Sequence, residues 1–153
     1  MITYLLRVYD KQNILGPNPA SEQAHVDYDK WTFFLVSTLG PMQGQVNWFS
    51  HGHPTKNNDA LTRNREQALR TYGVLEGQLK ATGGASILPQ GFGAVHSHFL
   101  CWVKVHDFGG LALDGYPHVK KWIDGLLERM SGQPIRGSTV ESRCSLIDFC
   151  TVE

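Results

Sequence analysis

An excess of charge of either sign is what this chain most plainly lacks: 14 Lys plus Arg balance 14 Asp plus Glu, and no basic run occurs. Without that electrostatic footprint, DNA and RNA are not expected partners. Long apolar runs are missing too. None approaches the roughly 18 residues needed to cross a bilayer, and the opening Met1-Ile-Thr-Tyr-Leu-Leu-Arg7 has neither a basic leader nor a small-residue cleavage site. The reading is a soluble, cytoplasmic protein with no membrane partner. Cysteine is scarce. Cys101, Cys144 and Cys150 are odd in number and form no motif, which argues against a disulfide framework and fits a reducing compartment. Cys101, beside Trp102, is expected to be buried. Strand-like alternation is absent as well, so the fold class is all-α. At 153 residues and 41% hydrophobic, the chain can bury one core and is too short for two ordinary domains.

What is present is helical periodicity punctuated by glycine and proline. Ile2, Leu5, Leu6 and Tyr9 predict a two-turn helix that stops before Gly16-Pro17. Ser21 is placed to cap a second helix with Val26, Trp31, Phe34, Leu35, Thr38 and Leu39 on its inner face. Pro41 should kink it near Leu39-Gly40 before it runs on to Pro54. Asn57, Asn58 or Asp59 caps a long amphipathic helix carrying Leu61, Leu69, Tyr72, Leu75 and Leu79, which Gly83-Gly84 ends. Phe92 to His106 reads as the central buried helix, through Val95, Phe99, Trp102 and Val103. Pro117 opens a last helix with Val119, Trp122, Ile123 and Leu126 inward, and Pro134 closes it.

Three segments in order, Gly40-Pro-Met-Gln-Gly-Gln-Val-Asn-Trp-Phe-Ser-His-Gly-His-Pro54, Tyr72-Gly-Val-Leu-Glu-Gly-Gln-Leu79 and Tyr116-Pro-His-Val-Lys-Lys-Trp122, carry a resemblance over residues 1 to about 130. The chain resembles the C-terminal helical domain of fungal glutathione transferases of the nitrogen-regulator-like class. The resemblance implies a bundle of about five helices over residues 1–134, with 1–20 standing for the last helix and linker of a thioredoxin-like domain that is otherwise missing. Residues 135–153 form a tail, either disordered or folded back on the bundle. In such enzymes a Glu-Ser-x-Ala-Ile motif binds the γ-glutamyl end of glutathione, and this sequence opens at the end of that motif with Met1-Ile2. The implication is that the thiol site is lost and no cofactor is needed. Family members also open the central helix with Ser-x-x-Asp, where this chain has Gly93-Ala-Val-His96. That loss should cost about 1 kcal/mol unless another group takes over the cap.

Among the chemistry-bearing residues, His96 is the catalytic candidate because imidazole titrates near neutrality; the alternative is a hydrogen-bonded structural histidine. His51/His53 and His96/His98 do not suggest a metal site, since residues two apart point to different faces and no further ligand lies at suitable spacing. His51 and His53 are expected to cap the carbonyl end of the kinked helix. Tyr28, Trp31, Phe33, Phe34, Trp48, Phe49, Phe99 and Trp102 are either core or the wall of a cleft, with Gln43, Gln45 and Asn47 as its orienting polar groups or as solvent-facing side chains, and His51 also counted with the ligand-binding set. Without its companion domain, that wall would need a cover: a second copy of the chain, the tail, a partner or an apolar ligand. The leading expectation is a protein that binds an apolar small molecule in a helical cleft and acts on it without glutathione, as an isomerase or cyclase of secondary metabolism. The alternatives are a non-catalytic ligand-binding or homodimerisation module, and a residual glutathione transferase whose missing domain comes from a partner.

Overall fold

The computed structural model describes residues 2–131. Five helical stretches, one short 3-10 turn (Asp107–Gly109) and no strand occur among the described residues, in agreement with the all-α expectation. The first is α1 (Ile2–Tyr9), none of whose side chains is fully buried; Leu6 alone of this helix packs against the core. The second stretch joins α2 (Glu22–Phe34), a π-helical turn (Leu35–Leu39), α3 (Gly40–Asn47) and another π-helical turn (Trp48–Gly52) without a break. The remaining three are α4 (Asn58–Ala81), α5 (Ala94–Val103) and α6 (Pro117–Ser131).

Local chemistry explains the boundaries. The Ser21 hydroxyl accepts from the Ala24 amide at 3.2 Å, and Asn57 Oδ1 accepts from Ala60 at 3.0 Å, so both helices start on the side-chain caps that the sequence offers. Pro41 has no N–H to donate one turn back. The chain responds by widening ahead of it: the Gly40 amide reaches five residues back to the Leu35 carbonyl, the π pattern. A Cβ at Gly40 would lie 3.0 Å from that carbonyl and 3.2 Å from the Trp102 ring, so glycine lets α5 approach α3 closely. At the end of α4, Gly84 takes φ +85° and donates to the Leu79 carbonyl at 2.6 Å, a left-handed stop that residues with side chains resist.

The core sits around α5, six of whose ten residues are buried, with α2 and α6 against it and α4 packed between α3 and α6. Leu35, Leu39, Val46, Tyr72, Leu75, Leu79, Val95 and Phe99 fill this interior. Val119, Trp122, Ile123 and Leu126 face inward from α6 as expected.

Three local expectations need correction. Val26 is 53% exposed, because it lies on the outer side of α2, away from Trp31. The central helix is shorter than expected, with Phe92 and Gly93 before it and His106 in a turn after it. Cys101 is exposed, its thiol directed to the Ser97 carbonyl of the preceding turn at 3.4 Å. The expectations for Pro134 and for the tail 135–153, with Cys144 and Cys150, lie outside the described residues.

Candidate functional site

The residues expected to form one cleft wall divide into three environments. Tyr28, Trp31, Gln43 and Phe99 are buried core side chains. Trp102 is half-buried over Gly40 and Gly44. Asn47, Trp48 and His51 lie towards the far end of the second helical stretch, where Trp48 is 46% exposed. Neither a groove of about 450 Å³ between α1 and α2 nor a cleft of about 260 Å³ beside α6 joins the three sets.

The core members are held by long-range bonds. Gln43 Nε2 donates to the Trp102 carbonyl at 2.8 Å, and its Oε1 accepts from the Tyr72 hydroxyl at 2.7 Å, so one amide ties α3 to α5 and α4. Burial pushes the Tyr72 hydroxyl pKa far up, which keeps it a donor. At the far end, His51 Nε2 donates to the Phe108 carbonyl at 2.6 Å and its ring stacks on Phe108 with centroids 4.3 Å apart. His53 Nδ1 accepts from the Thr55 amide at 3.2 Å. Neither imidazole caps its own helix; the chain ends that stretch with the His53 amide donating to the Trp48 carbonyl at 2.8 Å.

His96 is the N-terminal lock of α5. Its Nδ1 accepts from the Gly93 amide at 3.0 Å, its Nε2 faces the Ile87 amide at 3.1 Å and the Ser86 hydroxyl at 2.8 Å. Phe92 stacks on the ring at 5.1 Å and Trp122 lies 6.0 Å away. With no exposed surface, the ring is sealed from solvent. Burial drives its pKa down to about 4, against the Gly93 carbonyl 3.0 Å from Nδ1, which raises it, and the nearby Arg129 charge lowers it further. The imidazole is therefore neutral at pH 7 and replaces the cap whose loss the sequence signalled.

The one member of the expected set that borders the larger groove is Tyr28. This groove, of about 450 Å³, lies between α1 and α2 and includes Leu6, Arg7, Asp10, His25, Tyr28 and Asp29 in its lining. Asp10 shapes it: its carboxylate accepts from the amides of Ile14, Leu15 and Gly16, each at 2.8 Å. Although partial desolvation pulls the Asp10 pKa up, those three amides outweigh it and hold the carboxyl below its ordinary value. The loop so formed is anchored to α5 by the Ala94 amide, which donates to the Leu15 carbonyl at 2.9 Å. The Tyr28 hydroxyl is buried with no hydrogen-bond partner. Burial first, then the carboxylates of Asp29 and Asp10, push its pKa up to about 12, so it remains protonated. Arg7, Asp10 and His25 were not singled out in the sequence, and Leu6 only as an apolar position of the first helix. Their signal was same-face spacing: Leu6 with Asp10 on one helical edge and His25 with Asp29 on another, each pair four apart.

Among the described residues no three His, Cys, Asp or Glu side chains gather closely enough to hold a metal ion, and no helix is long and apolar enough to cross a membrane.

The family profile described as the glutathione S-transferase C-terminal domain matches residues 39–130, more than half of the chain. The chain belongs to that family. Among curated proteins it is similar to the glutathione S-transferase-like protein tpcF of Aspergillus fumigatus, 30% identical over 142 residues covering 84% of this chain. It spans 62% of that relative's length. Among solved structures, the glutathione transferase URE2P6 of Phanerochaete chrysosporium, crystallised with oxidised glutathione, superposes with TM-score 0.75 at 30% identity, covering 84% of this chain and 59% of that one. A glutathione transferase homologue from Lodderomyces elongisporus, with two glutathiones per subunit, gives TM-score 0.75 at 25% identity over 82% and 59% of the two chains. These likenesses agree with the class that the three sequence segments pointed to.

Proposed function

We propose that this helical domain binds an apolar small molecule in the groove between α1 and α2, and that its chemistry on that molecule is glutathione-independent isomerisation or cyclisation. The observation that carries the reading is the Tyr28 hydroxyl, a buried donor without a partner at a groove of about 450 Å³. That volume falls in the range of small-molecule sites, and Leu6, Pro17 and the Tyr28 ring give the groove apolar surface among its charged and polar groups. A protonated phenol beside the Asp29 and Asp10 carboxylates gives a proton donor and acceptors at one groove, which proton-shift chemistry requires. His96, whose two ring nitrogens are already engaged by Gly93, Ile87 and Ser86, is better suited to holding the fold than to meeting a substrate.

The test is a melting titration with 2-naphthol as a planar probe carrying one polar edge. A saturable rise in Tm is expected, with affinity falling about fivefold in Tyr28→Phe, the cost of about one neutral hydrogen bond. An unmoved Tm in the wild type would remove the site. Incubation with a polyene or quinone-like intermediate tests turnover, and a rate equal to that in buffer would reduce the reading to binding alone.

A second reading, pairing of two copies, is favoured by a separate observation. Val26, Phe33 and Val36 lie 53%, 66% and 49% exposed on α2 and the π-helical turn that follows it, an apolar strip that a soluble chain tends to cover.

A further inference from the structure

A second cleft, of about 260 Å³, opens between the loop after α4 and α6. Gly83 and Gly84 form one side, and Phe92, Trp122 and the stripe Lys121, Gly125, Arg129 form the other. The stripe residues are four apart and share one helical face. The guanidinium of Arg129 sits over the Phe92 ring, 4.8 Å from its centroid. Both cations of the lining are on the exposed side of α6, and no carboxylate belongs to the lining. Trp122 is only 2% exposed, yet its indole N–H has no hydrogen-bond partner.

Gly125 needs its own explanation. A glycine inside a helix destabilises it relative to alanine, and here nothing would obstruct a side chain, since a Cβ at this position meets no atom within 4 Å. What its bareness does is leave the floor of the cleft open between the two cations.

We propose that this cleft is a binding site for a planar organic acid, an aryl carboxylate of one or two rings. The carboxylate would lie between Lys121 and Arg129, where a bidentate guanidinium suits its geometry. The ring would lie along the edges of Phe92 and Trp122, since the faces of Phe92 already meet the His96 ring and the Arg129 guanidinium. The volume lies just below the range for drug-sized ligands, which favours a compact acid. This site is separate from the groove at Tyr28 and does not depend on it.

The test uses the full chain labelled with 15N and follows the Trp122 indole N–H, assigned through its contacts with the Phe99 and His96 rings, while 2-naphthoate is added. A saturable shift of that resonance is expected. Lys121→Gln with Arg129→Gln should weaken binding at least tenfold, and neutral 2-naphthylmethanol should bind at least tenfold more weakly than the acid. Gly125→Leu should keep or raise Tm while abolishing the shift, which separates a filled cleft from a damaged fold. Any of four results overturns the proposal: an unmoved Trp122 resonance, equal binding of acid and alcohol, unchanged affinity in the double variant, or inorganic phosphate binding as tightly as the naphthoate. Loss of 2-naphthol binding at Tyr28 would leave all of these readouts intact.

Discussion

The Gly93 amide donates to Nδ1 of His96 at 3.0 Å, closing the first turn of α5 with an imidazole three residues on. Because glycine offers no capping side chain, the histidine supplies the reach-back half of a capping box alone. Its other nitrogen faces the Ile87 amide, and a neutral ring accepts at only one nitrogen. Protonation ends the acceptance altogether, so the fold selects the neutral form.

That selection has a pH signature. The His96 pKa is about 4 in the fold against about 6.5 in an unfolded chain. Between those values the unfolded state binds the extra proton, so stability falls as pH drops from 6.5 to 4, by roughly 3 kcal/mol at most. His96→Gln should keep a reach-back group that does not titrate and flatten this slope. Urea melts at pH 7 and pH 5 decide it: an equal loss in wild type and variant would assign the slope elsewhere.

A different carboxylate sets the acid limit. Glu76 of α4 accepts from the amides of His118 at 3.1 Å and Val119 at 2.9 Å, and its Oε1 lies 2.6 Å from His118 Nδ1. It thus caps α6 from a neighbouring helix, where the backbone dipoles favour a negative charge. Burial raises its pKa, but the His118 side chain and the two amides prevail and hold it below the usual carboxylate value. Its stabilising effect is therefore complete above the ordinary carboxylate range and lost as pH falls below it. Glu76→Gln should cost about 1–2 kcal/mol at pH 7 and progressively less in acid. A difference that stays constant down to pH 3 would contradict the cap.

Gln43 illustrates how far the site could be read from sequence. The caps at Ser21 and Asn57, the glycine stop at Gly84 and the inward face of α6 depend on neighbours a few residues away, and all were legible. The fate of Gln43 depends on Trp102, 59 residues on, and Tyr72, 29 residues on, and no periodicity reports such distances. The groove at Tyr28 was hidden for the same reason: it brings together residues of α1, of α2 and of the loop that Asp10 holds. An exposed amide and a buried one look alike until the partner helix is in place.

Removing that amide should be costly. Gln43→Ala would strand the Tyr72 hydroxyl in the core and leave a small void, a loss of about 2–4 kcal/mol. Gln43→Glu keeps the shape but brings a charge into the interior, so it should be no less damaging near neutral pH and partly recover in acid. Chemical denaturation of both variants measures this. A change below about 0.5 kcal/mol for Gln43→Ala would place the amide in water instead.

Pairing through α2 makes the remaining prediction. Phe33, 66% exposed, stands between Val26 and Val36 on the apolar strip, and Lys30 in the same region is already engaged with Asp27 at 2.9 Å. Two copies meeting there would bury the phenyl rings at the centre, where aromatic anchors carry most of an interface's energy. Phe33→Lys places like charges opposite each other across a twofold axis while leaving the core untouched. Light scattering after size exclusion should give a dimer for the wild type and a monomer for the variant, with the same helical content by circular dichroism. A wild type that stays monomeric at hundreds of micromolar would remove the pairing reading and leave the strip as ordinary exposed surface; a variant that stays dimeric would move the interface to another face of the bundle.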